Sequence, residues 1–230
     1  FVIAGLFLAR ANFKAEESTN QDRNLRNEFK EGLVYIRSEL AVMSIIIMSA
    51  LVGFFGIPMV QQIPAFARDV LRTVMDTEAI VAARTSNLYA AQGAGALIAA
   101  FIAASLHASD KNRMLILGQV TFILPIIALG FTSNTLIALI LLAFIGWGTV
   151  MQLVTMNTII QTRVPNGLRG RVFSIYFWAL QGVAPFGSIV IGWIAQTWNV
   201  PTAAFVGGTI CLLGVLAVRL IFTKGQYSSA

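Results

Sequence analysis

Four stretches of this chain hold no Asp, Glu, Lys or Arg: residues 40–67, 85–106, 114–162 and 172–218. A surface facing water carries charge at much shorter intervals than these, so the stretches belong in another solvent. A hydrocarbon core about 30 Å thick is crossed by roughly 20 apolar residues at about 1.5 Å rise each. The first two stretches each suit one crossing. The other two are too long for one, and each has a polar break near its middle, at residues 130–135 (Gly-Phe-Thr-Ser-Asn-Thr) and 197–202 (Thr-Trp-Asn-Val-Pro-Thr). Turn formers there let the chain reverse at a membrane surface. The expectation is an all-α integral membrane protein, a bundle of six transmembrane helices near 39–66, 84–106, 114–131, 135–161, 171–196 and 202–222. Composition agrees: 57% of the 230 residues are apolar and 11% charged, whereas a soluble domain carries about 25% charged.

Basic residues orient the bundle. If residues 10–38 lie inside the cell, so do the loops near 107–113 and 162–171 and the C-terminal tail. Every one of the 16 Lys and Arg except Arg68, Arg72 and Arg84 then lies inside. The positive-inside rule places the leading segment and the C-terminus in the cytoplasm. The net charge of +6 reads as this cytoplasmic rim, not as a nucleic-acid surface. Phe1 to Ala9 is an apolar run too short to span and is expected to be the tail of a preceding transmembrane helix. Residues 10–38 form a charged linker in which Leu25, Phe29, Leu33 and Ile36 recur at helical spacing. They read either as an amphipathic helix on the inner surface or as an extension of the first span. Residues 39–230 form the six-helix domain. Its two triplets resemble inverted repeats: Gln92-Gly-Ala-Gly95 lies in the middle helix of one, and Gln181-Gly-Val-Ala-Pro-Phe-Gly187 in that of the other.

The loop between the fourth and fifth helices carries Gln161, Val164, Pro165, Arg169, Gly170, Arg171, Val172 and Ser174. This resembles the Gln-x-x-Val-Pro-x-x-x-Arg-Gly-Arg-Val-x-Ser loop of the major facilitator superfamily branch that includes enterobactin exporters and macrolide efflux permeases. Gly93 and Gly95 in the second helix, and Gln181, Gly182, Pro185, Gly187 and Gly192 in the fifth, extend the resemblance over nearly the whole chain. At 107–113 the sequence departs from the superfamily: only Asp110, Lys111 and Arg113 echo its Gly-x-x-x-Asp-Arg-x-Gly-Arg-Arg loop. The resemblance implies the C-terminal half of a transporter in a bacterial inner membrane. It also implies, as partner, the N-terminal six-helix half of the same protein. Arg169 and Arg171 read in two ways, as anchors to lipid phosphate or as gating charges that pair with an acid on a moving neighbour.

Polar side chains inside a span usually face the bundle interior or a water-filled cavity. Gly148, Gln152 and Thr155 fall within about 60° of one another on the fourth helix, with Thr149 beside them. Tyr89 and Gln92 share a face of the second helix, Tyr176 and Gln181 mark the fifth, and Gln61 and Gln62 sit near the outer end of the first. The expected substrate cavity therefore comprises Tyr89, Gln92, Gln152, Thr155, Tyr176 and Gln181; the plainer reading of each is an interhelical hydrogen bond. Gly56, Pro58 and Pro64 interrupt the first helix, and Gly182, Pro185 and Gly187 the fifth; they stand as hinges or as fixed kinks.

No acidic residue follows Asp110 and none lies inside a span, so a proton-coupling carboxylate is expected in the other half, with Asp69 the one local candidate. One His and one Cys give no metal or nucleophile constellation, and no phosphate-cradling Gly-Lys-Ser/Thr loop occurs. The expectation is not an enzyme and needs no cofactor or metal. It is a secondary active exporter of small amphipathic molecules, working by alternating access amid membrane lipid and binding no nucleic acid. An importer of the same fold, a non-transporting scaffold or receptor, and a natural half-length protein are the alternatives.

Overall fold

The computed structural model of the chain describes residues 25–105 and 111–227, and among them it contains helices and no strand. Helix α1 (Leu25–Ser38) precedes the first span, α2 (Leu40–Gln61). A short helix α3 (Ile63–Asp69) follows, then α4 (Glu78–Ser105), α5 (Lys111–Leu129), α6 (Thr135–Arg163), α7 (Asn166–Thr197) and α8 (Val200–Tyr227). Among the described residues, helix α2 and helices α4 to α8 are the 6 that are long and apolar enough to cross a membrane. The expected tail at residues 1–9, the first part of the linker, and His107 and Asp110 lie outside the described residues.

Local chemistry accounts for the helix ends. Helix α6 starts where the side chain of Asn134 accepts hydrogen bonds from the backbone N–H of Leu136 and Ile137. Helix α4 starts at Glu78, before the expected 84, because its charges are satisfied outside the hydrocarbon. Arg84 binds Asp76 at 2.7 Å and the Leu71 carbonyl at 2.6 Å, and Arg72 binds Glu78 at 2.9 Å. The chain turns before α7 at Val164 and Pro165, both extended, and Asn166 is already helical; Asn166-Gly167 is not the turn the sequence reading expected. Proline disfavours helix in the residue before it and tolerates a position ahead of a first turn, so it places this boundary.

Helix α6 packs between α4 and α5, α2 packs against α7 and α8, and α8 also lies along α5. Exchanging the first three spans with the last three, in order, maps these contacts onto one another; α7 also meets α8, a contact that α4 and α5 do not match among the described residues. Three crossings reverse the chain, so the second triplet runs inverted relative to the first. Glycine sets the tightest approaches. A Cβ at Gly95 would overlap the Ala143 carbonyl oxygen, and one at Gly146 the Gln92 carbonyl oxygen, where α4 meets α6. In the equivalent α2–α7 contact, Gly53 lies on the Leu180 carbonyl and Gly187 on that of Phe54. Between spans, where lipid is as apolar as leucine, such backbone approach supplies the packing that holds helices together. Among the described residues, buried polar side chains are few: Ser49, Gln119, Gln152 and Thr155.

Candidate transport cavity

Two spans are broken on either side of one cavity. In α2, Val52–Gly56 is a π-helical turn running into Pro58; in α7, Trp178–Gly182 is another, running into Pro185. A proline has no N–H to donate and its ring collides with the carbonyl four residues earlier. Widening one turn absorbs the collision: Ile57 N–H reaches back five residues to the Val52 carbonyl. The proline signals at Pro58 and Pro185 thus become two wide turns that touch through Gly53. Gly56 lies against the ring of Phe122, and Gly182 beside the indole of Trp178. Pro64 opens α3 after a separate break at Gln62.

Between these turns lies a cavity of about 230 Å³. It brings together Gln92 of α4, Thr149 and Gln152 of α6, and Gln181 of α7, with Gln61 of α2 at one end and Phe122 of α5 at another wall. Apolar groups form the rest of its lining. Gln61 accepts a hydrogen bond from the Ser188 hydroxyl at 3.0 Å. Gln152 is only 1% exposed and its Oε1 has no hydrogen-bond partner. A buried amide oxygen without a donor is a site for a donor to arrive, since leaving it empty costs about 1–3 kcal/mol.

The remaining expected cavity residues fall elsewhere. Tyr89 is 43% exposed on the outer face of α4. Thr155 is buried and donates its hydroxyl to the Met151 carbonyl of its own helix at 2.7 Å. Tyr176 is wholly buried, its ring set edge-on against Phe173 and Phe177 and its hydroxyl without a partner. Gly148 turns from the cavity to the backbone of α5, 2.5 Å from the Phe122 nitrogen for a Cβ built there. The polar stripe on α6 is therefore split between the cavity and helix packing.

The Arg-Gly-Arg loop is engaged within the chain. Arg169 caps α6 by donating to the Gln161 carbonyl at 2.8 Å, while its Nε is buried without a partner. Arg171 binds Glu31 of α1, and Gly32 of α1 lies on Arg171 and Ile175. Beside them the Tyr35 hydroxyl donates to the Arg163 carbonyl at 2.9 Å, and Arg163 pairs with Glu39 at 3.0 Å. Burial first, and the Glu39 carboxylate second, raise the Tyr35 phenol above its ordinary pKa. Helix α1 is thus a strap along the start of α7, not a continuation of the first span. Nothing in the structure explains Gly170, which has open space where a side chain would go.

Sequence reasoning missed a second polar chain. Gln119 of α5 donates to the Met48 sulfur at 3.2 Å and accepts from Arg219 of α8 at 2.7 and 3.2 Å; Arg219 also reaches Asn112 at 3.3 Å. The available signal was Arg219 itself, the charge that ends the last uncharged stretch.

Residues 1–228 match the transmembrane secretion effector family of the major facilitator superfamily. The chain belongs to that family. Among curated relatives it is 26% identical over 193 residues to the enterobactin exporter EntS of Escherichia coli O81 (strain ED1a), covering 81% of this chain and 45% of that protein. The EntS of Escherichia coli strain SE11 matches over the same shares of both chains at 26% identity. The chain therefore spans about half the length of the curated relatives it matches. No solved structure matches it. The family is one of membrane secretion proteins and not of enzymes, and this chain, with six helices able to cross a membrane among its described residues, is a multi-pass membrane protein.

Proposed function

We propose that this chain is one six-helix half of a secondary active exporter of small amphipathic organic molecules, drug- or siderophore-like, working by alternating access. The observation that carries this reading is the convergence of Gln92, Gln152 and Gln181, from three spans, on one cavity whose walls are otherwise apolar. An amphipathic solute needs that lining: apolar walls for its body and a few amide groups to orient its polar part. At about 230 Å³ the cavity is smaller than the roughly 300–1,000 Å³ of a drug-sized site, which fits a half-site completed by a second six-helix unit. Similarity to enterobactin exporters supports efflux, and the basic residues support an inner-membrane bundle with its C-terminus in the cytoplasm. The two touching π turns are the places where α2 and α7 bend as the cavity opens to one side and then the other.

The test is substrate accumulation in inside-out vesicles holding the full-length protein. Gln92→Ala, Gln152→Ala and Gln181→Ala should each raise KM or lower the rate several-fold, with Gly93→Ala as the silent control. Unchanged kinetics in all three correctly inserted variants remove the cavity from the transport path. Accumulation only in right-side-out vesicles reverses the direction to import.

A further inference from the structure

A second cavity, of about 300 Å³, lies at the other end of the bundle from Asp76, between the ends of α2, α5 and α6. Lys111, the first residue of α5, and Arg163, the last of α6, stand on its rim, with Asn112, Thr162 and Ser44 between them. Buried Ile45 and Leu115 close its floor.

Lys111, Asn112 and Arg163 bring donors with hydrogens to spare, while the Thr162 and Ser44 hydroxyls have theirs committed to the backbone. Lys111 gives one hydrogen to the Thr162 hydroxyl at 3.1 Å and has two left. The hydrogen of Thr162 is committed to the Thr158 carbonyl at 2.9 Å, and that of Ser44 to the Ala41 carbonyl at 2.8 Å. Asn112 spends its oxygen on Arg219, which leaves its amide hydrogens for the cavity. Arg163 holds Glu39 through one nitrogen of a guanidinium that carries five N–H groups. Glu39 is the one described carboxylate paired at this rim, against the two cations Lys111 and Arg163. A positively charged cleft with the spare donors of Lys111, Asn112 and Arg163 at its rim and an apolar floor takes an oxyanion on a larger body. Both cations sit at helix ends, where the uncharged runs stop, and that is headgroup depth in a bilayer.

We propose that this cleft binds a phosphoryl group, held by Lys111, Asn112 and Arg163, and that the headgroup of an acidic membrane lipid is the source its depth favours. The inference rests on the membrane placement alone and not on the transport reading.

Native mass spectrometry of the full-length protein in nonionic detergent tests it, with phosphatidylglycerol titrated against phosphatidylcholine of the same chains and, separately, with glycerol 1-phosphate. Phosphatidylglycerol should bind saturably and more tightly than phosphatidylcholine. Lys111→Gln should weaken it about fivefold, the effect of one basic residue at a charged surface. Lys111→Arg should restore it, and Asn112→Ala, which keeps every charge, should weaken it as well. Competition by glycerol 1-phosphate at concentrations that match the lipid supports the phosphoryl site and gives it a soluble source. Equal binding of the two lipids, or phosphatidylglycerol binding that neither Lys111→Gln nor Asn112→Ala reduces, overturns the proposal.

Discussion

Gln152 is the side chain whose surroundings make least sense for stability and most for binding. It is buried against α5, where Gly118 lets its backbone approach, and its amide oxygen has no donor. Gln152→Leu keeps the volume and removes the orphaned acceptor, whose burial costs about 1–3 kcal/mol. Thermal unfolding in detergent should therefore show an unchanged or higher Tm, while export falls; a lower Tm would mean the amide serves the fold. Asp76 makes the opposite case, a residue whose partners are all in place. Its carboxylate accepts from Arg84 at 2.7 Å and from the Thr73 N–H at 2.8 Å. The hydrogen bond from Arg84, then that from Thr73, lowers its pKa to about 2. A carboxyl that is more acidic folded than unfolded stabilises its loop above the unfolded value near 4, and that stability drains as pH falls through about 2. Hydrogen exchange across residues 70–78 should be flat from pH 7 to about 4 once corrected for intrinsic rates, then quicken toward pH 2. Asp76→Asn should quicken it at every pH and abolish that step.

Among the elements, α2 and α7 form the joint of the molecule. Each carries a π turn just ahead of a proline, and Gly53 of one turn rests on the Leu180 carbonyl of the other. The contact is backbone on backbone, so a methyl group there has no flexible neighbour to displace. Gly53→Ala should cost about 1–3 kcal/mol, the usual penalty of overpacking, and appear as a lower Tm. Gly93→Ala, in a position open to at least 4 Å, should hold or gain up to about 1 kcal/mol from helix propensity. Equal losses from both would show that glycine acts through helix flexibility and not through the contact. Helix α1 adds a charged tether, Glu31 to Arg171, to the same fifth span. Such a partly exposed pair contributes about 0.2–1 kcal/mol, enough to bias an orientation and too little to lock it.

Large apolar residues are exposed on every span. At the scale of the whole molecule, the surface that α4 presents through Tyr89, Leu97 and Phe101 and α7 through Phe177, Trp178 and Phe186 matters most, because both helices bring a glutamine to the cavity. With the chain spanning 45% of its relatives' length, the proposed occupant of that face is the other six-helix half. Co-expressed as separate polypeptides, the two halves should co-purify and restore export. Leu97→Arg with Phe101→Arg should break that association without lowering the Tm of this half. Recovery of this half alone under all conditions would instead leave the face to lipid.

Helix number and likeness were written in the chain, because only an uncharged run of sufficient length crosses hydrocarbon and only a proline removes a backbone donor at a known place. The uncharged stretches yielded all six spans, Pro58 and Pro185 marked both wide turns, and the Arg-Gly-Arg loop pointed to the family. Which way each side chain faces was not written there. In water, apolar residues mark the buried side of a helix; in lipid both sides are apolar, so that signal vanishes and small residues decide the contacts instead. Tertiary packing alone therefore sent Gln92, Gln152 and Gln181 into the cavity and left Tyr89 outside, spent Thr155 on its own helix, and buried Tyr176 among phenylalanines. It likewise joined Arg171 to Glu31 and Arg219 to Gln119, partners 140 and 100 residues apart, which no spacing along the chain encodes.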